Sequence, residues 1–375
     1  MIYLDSAATT LEKPAAVGRA MLNALRSSTS PGRGGHIASK WAGEIMYRCR
    51  ELASELFDVP NPEQIVLTSN ATHGLNIAIH TLVSPGSVVL ISGYEHNAVT
   101  RTLHGIPNVK IRVAAGKLFD EEDCYQKFEN ALTDDIDVVI CNHVSNVFGF
   151  IQPLERIARL CSARKVPFIV DASQSAGTLP ISLKDLGAAF IAMPGHKGLY
   201  GPQGTGLLLC GIEPKPLMYG GTGSESINQN MPEFLPDRVE AGTQNVCGAA
   251  GLAAGLEFIS HLGVNRIFHH ECYLRKTLSE RLKNISDVKL FVGPSQSGLF
   301  SFVSANCDCE SMGEALGQHG IAVRAGLHCA PLAHKSVGTL DTGTVRVSFS
   351  VFNHIGQLNY VTDQIRRITE GRRVH

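Results

Sequence analysis

Short, almost uniformly apolar runs recur along the first two thirds of the chain, each followed by residues with helical spacing. "QIVLTS" leads into "THGLNIAIHTLV", and "SVVLISG" leads into a polar loop and "NAVTRTLHG". "DVVICNHVS" precedes "PLERIARLCSAR", "PFIVDAS" precedes "LKDLG", and "AFIAMPG" and "TGLLLC" close the series. Runs this apolar predict strands covered on both faces, and so an α/β fold with a mostly parallel sheet between helical layers. The loops that follow such strands are where parallel sheets place their ligands. Around "YGGTGSESINQNMPEFLPDRVEAGTQN" the pattern breaks into a Gly/Pro/Asn-rich stretch too polar for a core. Helices are predicted over "GAAGLAAGLEFISHLG" and "RIFHHECYLRKTLSERLKNI", and "LFSFVSA", "SMGEALGQHG" and "TVRVSFSVFN" read as a smaller α+β domain. The expected division is a large domain over 16–250, a small C-terminal domain over 251–375, and residues 1–15 as a segment packing near the small domain.

Bulk composition narrows the partners. The 375 residues are 44% hydrophobic and 18% charged, with a formal net charge of −1. That balance gives no electrostatic reason to expect nucleic acid or a membrane surface. The nearest basic cluster, Arg366, Arg367, Arg372 and Arg373, reads as a solvated helix end. No apolar run reaches bilayer length. The ten cysteines fall in apolar stretches without regular spacing, and "MIYLDSAATT" has no basic-then-apolar leader. Free thiols and a cytoplasmic location are expected. "CDC" (Cys307, Cys309) and "HHEC" (His269 to Cys272) lack a partner pair at structural-zinc spacing, so no metal is expected.

The strand-end loops carry the candidate chemistry. In "FIAMPGHKGLYGP", Lys197 is held in a glycine-rich turn, and a lysine kept partly desolvated near a carbonyl becomes a nucleophile. "FIVDASQSAG" puts Asp171 at the end of an apolar strand, where a carboxylate needs a cationic partner. A lysine Schiff base and an aspartate on a pyridinium nitrogen are what a protein contributes to pyridoxal phosphate chemistry. "TSNATHGLN" offers a helix start at Thr72 as a phosphate cradle. His96 in "SGYEHNAVTR" is placed to stack on a flat ring. Asn146 in "HVSNVFG" and Gln174 are placed to reach a ring hydroxyl.

Taken together these segments resemble the class V aminotransferase superfamily, specifically its cysteine desulfurase and selenocysteine lyase group. The likeness runs over nearly the whole chain, through "YLDSAATT", "EHNA", "HVSNVFG", "DASQSAG", "GHKGLYGPQGTG", "EAGTQN" and "RAGLHCAPL". The resemblance implies the fold type I architecture of pyridoxal-phosphate enzymes, with Lys197 holding the cofactor covalently and Asp171 on its pyridine nitrogen. It puts His96 over the ring, Asn146 and Gln174 near the phenolic oxygen, and Thr72, His73 and His196 on the phosphate. Thr243 would reach the phosphate from a neighbouring subunit, implying a homodimer with shared sites. Two departures stand out: Pro194 replaces a hydroxyl residue that helps bind phosphate in many relatives, and His73 replaces the residue usual after the threonine.

"RAGLHCAPLAH" selects among the chemistries. Cys329 lies in a Gly/Pro-bounded loop, with His328 and Arg324 nearby as cations favouring the thiolate, whereas Cys141 and Cys210 read as buried small hydrophobes. By resemblance to the Suf-type group with a short cysteine loop, Cys329 takes the substrate's sulfur as a persulfide. Arg346, between Val345 and Val347, suits a bidentate grip on a substrate carboxylate. Arg33 and His36 of "GRGGHIAS" belong by resemblance at the site entrance. The expected activity is release of sulfur from L-cysteine with formation of L-alanine and transfer to an acceptor protein. The rivals are a selenocysteine lyase acting on L-selenocysteine, a class V aminotransferase or another pyridoxal-phosphate lyase, and a catalytically reduced binding partner in iron–sulfur assembly.

Overall fold

A computed structural model of the chain describes residues 1–32 and 34–371. Its centre is a seven-stranded sheet in the order Ile65–Thr68, Gly206–Cys210, Phe190–Pro194, Phe168–Asp171, Val138–Asn142, Val88–Ser92, Lys110–Ala114. Gly206–Cys210 runs antiparallel to both of its neighbours, and the remaining pairs are parallel. The mostly parallel α/β sheet expected from the apolar runs is therefore present. Alternate residues supply two separate cores. Val139, Cys141, Val170, Ile191 and Met193 pack beneath the helices Ile37–Phe57, Leu154–Arg164 and Val246–Leu262. Ile140, Ile169, Phe190 and Ala192 face Ala71–Leu82 and Asn97–His104 on the other side. The edge strand Lys110–Ala114 was not evident among the apolar runs, because Lys110 and Arg112 interrupt it as charges at a sheet edge do.

The smaller part is an antiparallel sheet in the order Arg324–Gly326, Thr344–Ser348, Leu299–Ser304, Val288–Phe291. Leu274, Leu278, Phe300, Phe302, Met312, Val345, Val361 and Ile365 form its core. Ile2–Tyr3 pairs in parallel with Ile321–Ala322, and Leu4 is buried in this second core. The expected boundary at residue 250 falls inside the helix Val246–Leu262, whose Leu252, Leu256 and Ile259 still belong to the large core. At Gly263 (φ +86°) the next helix, Val264–Leu282, turns by 81°, and the core changes along it: Ile267 still packs in the large core, Leu274 and Leu278 in the small one. Among the described residues no single helix is long and apolar enough to cross a membrane.

Candidate active site

Five loops converge at the carboxyl ends of the parallel strands. Phe190–Pro194 hands the chain to a turn closed by Gly201 N–H on the Gly195 carbonyl (2.8 Å) and Tyr200 N–H on the Lys197 carbonyl (2.9 Å). The glycines are there because the turn is packed too closely on its neighbours for a Cβ. A Cβ on Gly198 would lie 2.4 Å from the Ala176 carbonyl oxygen, and one on Gly195 2.1 Å from Thr205 Oγ1. Lys13 Nζ (2.9 Å) and Thr10 N–H (3.1 Å) both donate to the His196 carbonyl, so the N-terminal segment clamps the same turn. Lys197 is thus fixed at its backbone. Burial lowers its ammonium to about 8, against the opposing pull of Asp171, which leaves a usable fraction of neutral amine near neutral pH.

One cavity of about 100 Å³ gathers Thr72, His96, Asn146, Asp171, Gln174, His196 and Lys197. Asp171 ends its strand buried, with one carboxylate oxygen accepting the Ser173 amide at 2.9 Å. The His96 ring accepts the Ala98 amide on Nδ1 (3.0 Å), which caps Asn97–His104 and leaves Nε2 carrying the proton. Burial lowers its pKa more than Asp171 raises it. His196 is pushed down to about 4 by burial, then by Lys197 and Lys13. Its ring is neutral, and its buried Nδ1 has no partner. Asn146 donates from Nδ2 to the His328 carbonyl (2.7 Å), while its buried Oδ1 is unpartnered. Gln174 donates to the Ala7 carbonyl (3.0 Å).

The helix expected to start at Thr72 starts one residue earlier. Ala71–Leu82 is capped by Asn70, whose Oδ1 accepts the His73 amide at 2.9 Å. Ala71 and Thr72 amides, at the cavity edge, remain as the donors of this helix start. His73 and Thr243 do not line this cavity. Both line a neighbouring hollow of about 220 Å³, together with Gly204–Gly206. His36 lies in neither: it is exposed and caps Ile37–Phe57 by accepting the Ser39 amide at 3.3 Å. Arg33 lies outside the described residues.

The small domain adds two groups. Arg346 is 2% exposed, in register between Ser301 and Arg324. It donates to the Asn146 carbonyl (3.0 Å) and pairs with Asp5 (2.7 Å), and its Nε has no partner. Asp5, in the quoted "YLDSAATT", was not singled out from the sequence; the buried arginine was the signal that an anion had to be near. Cys329 is the one exposed thiol of the ten. Its loop carries two consecutive non-glycine residues in the left-handed region, His328 (φ +49°) and Cys329 (φ +56°). The Cys329 carbonyl accepts the Asn97 amide at 2.7 Å, so the loop is tied to the residue beside His96. His328, expected as a cation beside the thiol, is not one. Its ring is buried, donates from Nε2 to the Thr344 carbonyl at 3.1 Å, and is held neutral because burial and Arg346 drive its pKa strongly down. Arg324 is exposed on its strand.

Sequence reading also missed the support behind Asp171. The buried Glu95 carboxyl accepts from Ser92 Oγ (2.6 Å) and the Asn142 amide (2.7 Å), and Gln152 donates to Asn142 Oδ1 (2.6 Å). Asn142 pairs with Asp171 in the sheet, so this network fixes the strand end that presents the carboxylate.

The aminotransferase class-V family profile matches residues 2–361. A protein of Pasteurella multocida named probable cysteine desulfurase is 32% identical across 94% of this chain and 85% of its own length. One of Mycolicibacterium paratuberculosis with the same name is 30% identical across 99% of this chain, which spans only 56% of that protein. A cysteine desulfurase of Thermococcus onnurineus, solved in the apo state, is similar in structure with a TM-score of 0.89 at 30% identity, covering 99% of this chain and 95% of that one. With that profile spanning almost every loop that builds the cavity, the chain belongs to the class-V aminotransferase family.

Proposed function

We propose that the chain is a pyridoxal-phosphate-dependent cysteine desulfurase that moves sulfur from L-cysteine onto Cys329 and releases L-alanine. The carrying observation is Cys329 itself: an exposed thiol whose loop is hydrogen-bonded to Asn146, which lines the lysine-containing cavity, and to Asn97, which lies between the lining residues His96 and Ala98. An aminotransferase has no use for a thiol presented there.

The cavity suits the cofactor. Its unpartnered buried polar atoms, Asn146 Oδ1 and His196 Nδ1, are costly unless a ligand satisfies them. Lys197 would hold pyridoxal phosphate covalently, Asp171 would face the ring nitrogen, and His96 would lie over the ring. Asn146 and Gln174 would take the phenolic oxygen. Thr72, His196 and the helix start would take the phosphate, joined by Thr243 of a second copy in a homodimer, while His73 lies off this cavity in the neighbouring hollow. The surface beside Thr243 supports the homodimer, since the segment that Gly221 ties to Gly242 leaves Tyr219 79% exposed. When bound, the cofactor supplies a carbonyl for amines and an electron sink for the substrate's α-carbon. Lys197, neutral in part near pH 8, takes the α-proton. Arg346 keeps an unpartnered Nε near the cavity for the substrate carboxylate, its other donors being engaged by Asp5 and Asn146. Cys329, as thiolate, attacks the substrate Sγ: an S–S bond forms, the C–S bond breaks, and one proton goes to Cβ. L-cysteine and a thiol become L-alanine and a persulfide, which an acceptor protein then discharges.

The test is incubation with L-cysteine and, separately, L-selenocysteine, measuring alanine against pyruvate and mapping added sulfur by mass spectrometry. Alanine and a persulfide on Cys329 are expected. Cys329→Ser should cut alanine formation from L-cysteine by about 10²-fold or more while selenocysteine turnover falls much less. Undiminished desulfuration by the serine variant refutes the assignment.

A further inference from the structure

Lys197 lines two cavities. Opposite the one already described, a polar cavity of about 40 Å³ runs between the two domains and shares with it only Ser173, Gln174 and Lys197. Its far wall is Glu271, on the helix Val264–Leu282, with Tyr200 from the large domain and Ser297 from the small one. Glu271 is 7% exposed, and among the described residues no cation pairs with it. Its backbone side is closed by Gly298, where a Cβ would come within 2.4 Å of the Glu271 Cβ. The Tyr200 hydroxyl donates to the carboxyl and accepts the Val351 amide at 3.2 Å. Two further lining hydroxyls, Ser6 Oγ and Ser297 Oγ, are buried without a protein partner. A space of this size and polarity holds about two or three waters, each needing such partners.

We propose that Glu271 is the proton partner of Lys197, exchanging a proton with its amine through water held in this second cavity. The step is balanced within the pair: an N–H bond of the ammonium breaks, an O–H bond of the carboxylic acid forms, charge is conserved and nothing is oxidised. It rests on the reading of Lys197 as the base. With cofactor and substrate in the first cavity, bulk water is kept from that side of the amine, and desulfuration still requires a proton to be stored and delivered to carbon. Burial lifts Glu271 to about 8 and lowers Lys197 to about 8, so transfer between them is close to thermoneutral. The other groups bearing on the pair are Tyr200 at Glu271, Cys272 and Arg275 on its own helix, and Asp171, Arg346, Arg324 and Asp5 around Lys197.

Glu271→Gln keeps the shape and removes the proton site. Infrared spectra of the full-length holoenzyme across pH 6 to 9 should show a protonated-carboxyl component in the wild type that titrates near 8 and is missing in the variant. Glu95, which burial also lifts to about 8, should remain as a separate component. The pH profile of alanine formation should shift, because a group that titrates near 8 has been removed. Ser297→Ala, which leaves the carboxyl but removes a water ligand, should shift the profile the same way by less, and stands in if the Gln variant misfolds. An unchanged carboxyl component, or unchanged profiles in folded variants, overturns the relay. A wild type that makes no alanine from L-cysteine would instead overturn the desulfurase reading and leave the infrared assignment standing.

Discussion

The Lys197 turn and the Cys329 loop hold their side chains in opposite ways. Around Lys197 the large domain closes on the backbone itself, so that Gly195 and Gly198 have no room for a Cβ and the amine is buried. Around Cys329 the small domain leaves the side chain in solvent and fixes only the main chain, whose Cys329 and His328 carbonyls accept from the Asn97 amide and Asn146 Nδ2. A base that must change its protonation state gains from desolvation. A thiol that must hand sulfur to another molecule gains from access. The difference also shows in the sequence: the glycines beside Lys197 record packing, whereas the exposure of Cys329 leaves no mark beyond its Gly/Pro-bounded loop.

The largest effect should come from breaking the buried side. Lys197→Ala removes the covalent attachment and the base together, so alanine formation should fall to the far end of the roughly 10²–10⁴-fold range for acid–base groups. Borohydride reduction followed by peptide mapping should trap cofactor on Lys197 in the wild type and nowhere in the variant. A reduced adduct on another lysine would move the site.

What was legible follows the same physics. The buried strands were visible because burial on both faces forces continuous apolar runs, as in "VVICN" and "FIVD". Asp171 and Lys197 were visible because a charge at the end of such a run has to be explained. The edge strand Lys110–Ala114 was not visible, because half of its surface faces water. Glu95, Asn142 and Gln152 were missed because a buried hydrogen-bond network has no spacing in one dimension. His328 was misjudged for a related reason: its neighbour Cys329 is exposed, yet its own ring points the other way, against Thr344. Sequence adjacency carried no information about which of the two faces the solvent.

Arg346 tests whether the small domain contributes binding or only structure. Arg346→Ala leaves Asp5 without its partner and should cost about 3–5 kcal/mol of stability, read as a lowered midpoint in urea unfolding. Arg346→Lys keeps the charge, loses the fork, and should raise the KM for L-cysteine about tenfold or more, the worth of a charged hydrogen bond. Asp5→Asn frees the guanidinium and should leave that KM unchanged or lower. If Arg346→Lys keeps the wild-type KM in a folded protein, the arginine is a strut between the N-terminal segment and the small sheet.

The gentlest contrast lies in the acid response of the two domains. Burial holds His143 in the large domain and His334 in the small one near pKa 4, well below the ordinary value near 6.5. Neither touches the cavity around Lys197. Between pH 6.5 and 4 the unfolded chain binds these protons and the folded chain does not, so stability present above 6.5 is lost as pH falls through 4. Each imidazole contributes a slope of up to about 1.4 kcal/mol per pH unit in that window. His143→Gln and His334→Gln should each flatten the dependence of the unfolding midpoint on pH, measured from 7 down to 4.5. Each ring has one buried unpartnered nitrogen, His143 Nδ1 and His334 Nε2, but His334 Nδ1 is bonded to Thr339 Oγ1 at 2.8 Å, whereas the His143 ring makes no such bond among the described residues. The small-domain variant should therefore lose more stability at pH 7, where a satisfied bond is removed, and the large-domain variant less. Equal losses at pH 7 would mean that the Thr339 contact adds nothing to what burial alone imposes on either ring.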